Sequence, residues 1–154
     1  MIKKPLLKGI DEHARCILSG NIEGLLDYYK TAFPVFIRGE AKLINGKDEL
    51  RSVLQDSSAR SRAAGVTRID GYLIETRKVS ASRYRCLVEW HYHSPDRAEP
   101  RVNAIVFFCS YSGGSIAVEM VEYRKIAFPA TAGFSDSISK GPKLNTNAPS
   151  SYLH

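Results

Sequence analysis

Between Arg83 and Tyr123 the chain carries three runs rich in β-branched and aromatic residues, Arg83–His93, Arg101–Tyr111 and Ser115–Tyr123. Ser94–Pro100 and Ser112-Gly-Gly114 part them with turn-forming residues, a pattern that predicts an antiparallel sheet. A fourth long strand is expected over Val66–Val79. Upstream the period changes from two to that of a helix. Leu6, Ile10, His13 and Ile17, joined by Leu7, Ala14 and Leu18, share one face of a helix over Leu6–Leu18, with Gly20 as its stop. Asn21 is a good cap for a second, short helix over Ile22–Tyr29, which Phe33-Pro34 ends. Val35–Ile37 and Ala41–Ile44 read as short strands flanking Arg38-Gly39-Glu40. Leu50, Val53 and Leu54 stripe a third helix over Lys47–Ala64, with Asp48 and Glu49 in its first turn. Helices gathered ahead of a sheet predict an α+β domain.

Strand alternation assigns faces. On Arg83–His93 the set Tyr84, Cys86, Val88, Trp90 and Tyr92 is expected to face the core and any pocket. On Arg101–Tyr111 both sets are apolar, Val102, Ala104, Val106 and Phe108 against Ile105, Phe107 and Cys109. A strand apolar on both sides calls for cover on both. Helices supply one cover, and a second subunit is the economical source of the other, so a homodimer through the sheet is expected. On the last strand Ala117, Glu119, Val121 and Tyr123 compete evenly with Ile116, Val118, Met120 and Glu122 for the inner face.

Composition changes this picture little. The 154 residues suit one domain with its own core, at 44% hydrophobic and 25% charged. From Ala130 onward the periodicity stops, so the domain is expected over residues 1–129 and an extended or draped tail over 130–154. The net charge of +6 comes from scattered basic residues, which argues against a nucleic-acid footprint. No segment reads as a signal peptide or a membrane span, and Cys16, Cys86 and Cys109 form no paired motif, so a cytoplasmic protein with neither membrane nor nucleic-acid partner is expected.

Candidate chemistry is sparse. His13 is the titratable group on an otherwise apolar helix stripe and suits acid or base work near neutral pH. Glu119 or Glu122 offers a carboxylate if the last strand turns one inward. Glu89, His91 and His93 share a strand face, but no companion ligand accompanies them and no metal is assigned. Tyr29, Phe36, Trp90 and Phe108 are aromatic residues for the core or a pocket. No phosphate loop or nucleophile elbow is present.

The stretches Gly20-Asn-Ile-Glu-Gly-Leu-Leu-Asp-Tyr-Tyr29, Ile44-Asn-Gly-Lys-Asp-Glu-Leu50 and Gly114-Ser-Ile-Ala-Val-Glu-Met-Val-Glu-Tyr123, in this order, resemble the helix-two entry, helix-three entry and closing strand of the nuclear transport factor 2-like superfamily. That superfamily includes polyketide cyclase-like proteins, ketosteroid isomerases and scytalone dehydratases. The resemblance spans about Leu6–Ala127 and implies a cone-shaped α+β barrel, a curved antiparallel or mixed sheet on three N-terminal helices, with a pocket between them. It places His13 where isomerase-like relatives carry a pocket tyrosine. The isomerase's base is missing, since the matching region reads Phe36-Ile37-Arg38. The tyrosine and histidine pair of the dehydratases has at most an imitation in His13 with Tyr29 or Tyr72. The expectation is a pocket for a small hydrophobic or aromatic molecule. His13, Tyr29 and Glu119 are the catalytic candidates, and Phe36, Tyr72, Val88, Trp90, Phe108 and Tyr123 the candidate lining. An enzyme of this kind would be a cofactor-independent isomerase, cyclase or dehydratase. The alternative is a non-catalytic binding or assembly module.

Overall fold

The computed structural model describes residues 2–128, so the expected tail at 130–154 lies outside the described residues. Helix α1 runs Lys3–Ser19, starting a turn earlier than the apolar stripe predicts. It buries Leu6, Gly9, Ile10 and Ala14 and ends where Gly20, at φ 86°, donates its N–H to Cys16 O at 2.9 Å. The second helix, α2, is a 3-10 turn over Glu23–Tyr28 and not an α-helix. Six residues that include Gly24 nucleate an α-helix poorly, and the buried Leu25 and Leu26 anchor the tighter turn. The third helix, α3, spans Lys47–Ala63, with Asp48 and Glu49 at its positive end and Arg60 and Arg62 at its negative end.

The strands are β1 (Phe33–Ile37), β2 (Glu40–Ile44), β3 (Arg68–Lys78), β4 (Arg83–His93), β5 (Arg101–Ser112) and β6 (Ser115–Lys125). They form one six-stranded mixed sheet in the order β2-β1-β6-β5-β4-β3. Every neighbouring pair is antiparallel except β1 with β6, where Val35 pairs with Val121. The β1–β2 hairpin turns through Arg38 and Gly39, both at positive φ, the backbone that a two-residue hairpin demands. Gly113 and Gly114 do the same between β5 and β6.

The helices cover one face of the sheet. Cys86, Val88, Trp90 and Tyr92 of β4 are all buried there, as alternation requires. Packing is close at Gly71 of β3. A Cβ at that position would run into the Ile10 side chain and come within 2.8 Å of the Trp90 ring. On the other face of β5, Val106 is fully buried within the single chain, while Val102 and Phe108 stay half-exposed. Cys86 and Cys109 are buried free thiols on the helix-covered face, and Cys16 is half-buried.

The even contest on β6 has a structural cause. The β5–β6 register passes from Cys109 opposite Val118 to Phe108 opposite Met120, leaving Glu119 as the extra residue of a bulge. The phase of alternation therefore changes within the strand. Ile116 and Val118 pack inward before the bulge, Val121 and Tyr123 after it.

Candidate functional site

Helix α1 and the segment that leaves α2 meet over the sheet, and there the polar groups converge. After Tyr28 the backbone runs beside β6, bridging Tyr29 to Val118 and donating Lys30 N–H to Val118 O at 2.9 Å. That pairing holds the Tyr29 ring against Phe33, stacked at 5.1 Å between centroids. On α1, His13 faces the same place. Its Nδ1 lies 2.8 Å from Gly9 O, and its Nε2 lies 2.9 Å from the Tyr29 hydroxyl. A carbonyl oxygen only accepts, so Nδ1 carries the proton, Nε2 is the bare acceptor, and Tyr29 O–H donates to it. Part of the residue reaches solvent, but the ring is enclosed by Tyr28, Tyr29 and Trp90. Burial pulls the His13 pKa below its ordinary value, against the smaller opposing pulls of Gly9 O and Glu12, so the imidazole is neutral at pH 7. Burial pushes the Tyr29 phenol well above its ordinary value.

The pair stands at the wall of a cavity of about 90 Å³. Ala14, Ile17, Leu50, Leu54, Ile69, Ile105 and Val121 give it an aliphatic lining, and Phe33, Trp90 and Phe107 an aromatic one. Its polar contributions are His13, Tyr29, Ser57, Tyr92 and Tyr123. A second, smaller space of about 40 Å³ lies beyond, lined by Leu6, Ile10, Cys86, Val88 and Cys109 among others. His13, Trp90 and Phe107 border both spaces and form the partition between them. Burial raises the Tyr92 phenol to about 12, with Asn103 pulling the other way, and raises Tyr123 further.

The expected residues divide sharply. His13, Tyr29, Trp90 and Tyr123 line the larger cavity, and Val88 lines the smaller one. The other four lie elsewhere. Phe36 pairs with Glu122 on the face away from the helices, because the inward set of β1 is Phe33, Val35 and Ile37. Phe108 shares that outer face, and Phe107 takes the cavity position. Tyr72 is 47% exposed and meets His91 edge-on at 4.8 Å, across the sheet from the cavity. Glu119 is turned out by its bulge onto Arg83, at 2.9 Å, and Lys30, at 3.4 Å. Arg83 chiefly holds its carboxyl below the usual range, which suits an ion pair and not a base. On the outer face His91 meets Glu89 at 3.2 Å and His93 meets Asp70 at 3.0 Å. Among the described residues no three His, Cys, Asp or Glu side chains are grouped to hold a metal. Sequence reasoning passed over Asn103, which is fully buried on β5. The available signal was a lone amide in the run Arg101–Cys109, otherwise apolar past its first residue.

No protein-family profile and no curated protein sequence matches the chain. Solved structures do. A domain of unknown function with a cystatin-like fold from Nostoc punctiforme superposes with a TM-score of 0.62 at 16% identity, covering 95% of this chain and 88% of that one. A nuclear transport factor 2-like protein of unknown function from Shewanella oneidensis gives 0.60 at 10% identity, over 80% of this chain and 98% of its own. A protein named as a candidate scytalone dehydratase from Novosphingobium aromaticivorans gives 0.52 at 11% identity, over 76% and 78%. At such identities the likeness speaks for architecture alone. Together with the mixed sheet covered on one face by helices, it establishes that this chain has the nuclear transport factor 2-like fold.

Proposed function

We propose that the protein binds a small hydrophobic molecule in the cavity beside His13 and acts on it by cofactor-independent acid–base chemistry, as an isomerase, cyclase or dehydratase. The observation that carries this reading is the His13–Tyr29 contact of 2.9 Å at the wall of an otherwise greasy space. Tyr29 is the member of the pair that meets the ligand. Its oxygen takes a proton from the substrate as its own proton passes to His13 Nε2, and the reverse transfer returns it. A neutral imidazole is the form this step requires, and burial favours that form. The surrounding domain, residues 1–129, is read as a cone with its mouth near this pair, in a cytoplasmic homodimer. Val102 and Phe108 on the outer sheet face are the surface a second copy would cover.

The second reading, a binding or assembly module without catalysis, is favoured by size. At about 90 Å³ the cavity is smaller than the ~150 Å³ that holds benzene. An aromatic ring enters only if the His13–Trp90–Phe107 partition moves and joins the two spaces. A thermal-shift screen of aromatic and polyketide-like molecules, repeated on His13→Ala, separates the readings. The enzyme reading expects a ligand whose stabilisation falls in the variant and which the wild type converts. A ligand that binds both equally and is recovered unchanged supports the module. Absence of any stabilising ligand removes the binding site itself.

A further inference from the structure

Cys86 and Cys109 meet on the sheet beneath the first half of α1. The β4–β5 register sets Cys86 opposite Phe107 and Tyr84 opposite Cys109, so the two cysteines are diagonal neighbours on adjacent strands. Both side chains lie on the helix-covered face, at 0% and 2% exposure, and both are free thiols. Both line the smaller space of about 40 Å³. Diagonal neighbours have Cα atoms about 7–8 Å apart, beyond the ~6.8 Å that a disulfide spans, so the pair persists as a dithiol. A bridge one atom longer, from sulfur through a ligand atom to sulfur, suits that separation. Cys86, with burial behind it, pushes the Cys109 thiol above its ordinary value, so that sulfur carries its proton at pH 7.

The lining decides what the bridging atom is. Leu6, Ile10, Val88, Ile116 and Val118 make an aliphatic wall, and no Lys or Arg is among the lining residues. His13 borders the space, but both its ring nitrogens are engaged, with Gly9 O and the Tyr29 hydroxyl. Structural zinc asks for four ligands, and only two sulfurs are offered. Monovalent copper on two thiolates leaves a net negative charge in an apolar space with no cation to meet it. Trivalent arsenic carries no such cost. In an organoarsonous acid the arsenic bears one carbon and two hydroxyls. Two As–S bonds form as two As–O bonds break, and each hydroxyl leaves as water with the proton of one thiol. Arsenic stays trivalent, nothing is oxidised or reduced, and the bridged product is neutral. Its remaining substituent must be as small as a methyl group to stay within this space.

The way in is the start of α1. Ile2 and Leu6 close over Cys86 in a small apolar cluster apart from the main core. That first turn is weakly held. Its cap position, Ile2, offers no side-chain hydrogen bond, no acidic residue is present, and the exposed Lys3 and Lys4 sit at the positive end of the helix dipole. A helix end with these defects opens locally before the rest of the fold does. We propose that Cys86 and Cys109 form a dithiol site, reached through the first turn of α1, that captures small trivalent arsenicals as a neutral two-sulfur chelate. The site is separate from the His13–Tyr29 pair and stands whether or not the larger cavity binds a molecule.

Methylarsonous acid is the probe, added to the reduced full chain and followed by native mass spectrometry. The wild type is expected to take one methylarsenic per chain with both hydroxyls lost, a mass that reports two thiols on one arsenic without any variant. Affinity should fall about a hundredfold in Cys86→Ala and in Cys109→Ala, because the second bond is then no longer intramolecular. It should stay unchanged in Cys16→Ala, since that half-buried thiol is not among the residues lining the space. Lys4→Glu, which complements the helix dipole, should slow capture about threefold and leave the final stoichiometry as it is. An adduct that keeps a hydroxyl, an affinity undiminished in Cys86→Ala or Cys109→Ala, a loss in Cys16→Ala, or no adduct at all overturns the dithiol site. An unchanged rate in Lys4→Glu overturns the route through α1. Should Cys86→Ala or Cys109→Ala fail to fold, the wild-type adduct mass and its retention in Cys16→Ala decide.

Discussion

His13 sits in a setting that reverses its usual behaviour. Its neighbours supply one acceptor, Gly9 O, and one hydroxyl, Tyr29, but no carboxylate at hydrogen-bond distance from the ring. Desolvation therefore wins, and the folded state resists protonating this ring more than the unfolded chain does. The sign follows by linkage. Above the unfolded value of about 6.5 both states are neutral and the site imposes no pH dependence. As pH falls from there toward the lower folded value, the unfolded chain takes up the proton first and the protein loses stability. Urea unfolding at pH 7.5 and 5.5 should show this loss in the wild type and a smaller one in His13→Gln. An equal loss in both would place the acid sensitivity elsewhere. Glu119 offers the opposite case. Its carboxylate pairs with the half-exposed Arg83 and the exposed Lys30, so Glu119→Gln should cost at most about 1 kcal/mol and leave any turnover unchanged. A large loss of activity in that variant would return the carboxylate to the mechanism.

At the scale of elements, packing of α1 on β3 and β4 depends on an absent side chain. Gly71→Ala would drive a methyl into Ile10 and the Trp90 ring, both of which border the cavity region, and should cost about 1–3 kcal/mol in denaturant unfolding. Unchanged stability would mean that α1 shifts to make room. The elements themselves were largely legible. The stripe Leu6, Ile10, His13 and Ile17 marked α1, and the clean alternation of β4 named its inward face, Trp90 and Tyr92 included. Legibility failed wherever alternation stopped being regular. The bulge at Glu119 shifts β6 by one residue partway along, and no pattern of side chains announces a bulge. β5 is apolar on both sides, so its sequence favoured neither Phe107 nor Phe108 for the cavity. Asn103 escaped for another reason: its role depends on the backbone of Ala127 and Phe128, which return to it from beyond the end of β6. Tyr72 was misplaced because β3 is an edge strand with few apolar residues to fix its face.

For the whole molecule, the order helix, 3-10 turn, hairpin, helix and four long strands puts every long strand on one side and leaves β5 near the middle of the sheet. On its outer face Ala104 and Val106 are buried by the chain's own neighbours, and Val102 and Phe108 are left half-exposed. A homodimer through this face predicts a sedimentation coefficient of two subunits at micromolar concentration, reduced to one by Val102→Lys. A wild-type monomer throughout would mean that the face needs no partner. No helix among the described residues is long and apolar enough to cross a membrane.

The function proposed for this protein returns to a neutral imidazole, engaged by Tyr29, at the wall of a space that admits a small apolar molecule. The most direct test is the ring-nitrogen NMR spectrum of His13, recorded from pH 5 to pH 8 with and without a ligand found in the thermal-shift screen. The account predicts a neutral ring protonated on Nδ1 at pH 7, a pKa below 6.5, and a shift of the Nε2 resonance when that ligand is added. A ring already protonated at pH 7, or one that does not respond to a ligand that stabilises the protein, would contradict it.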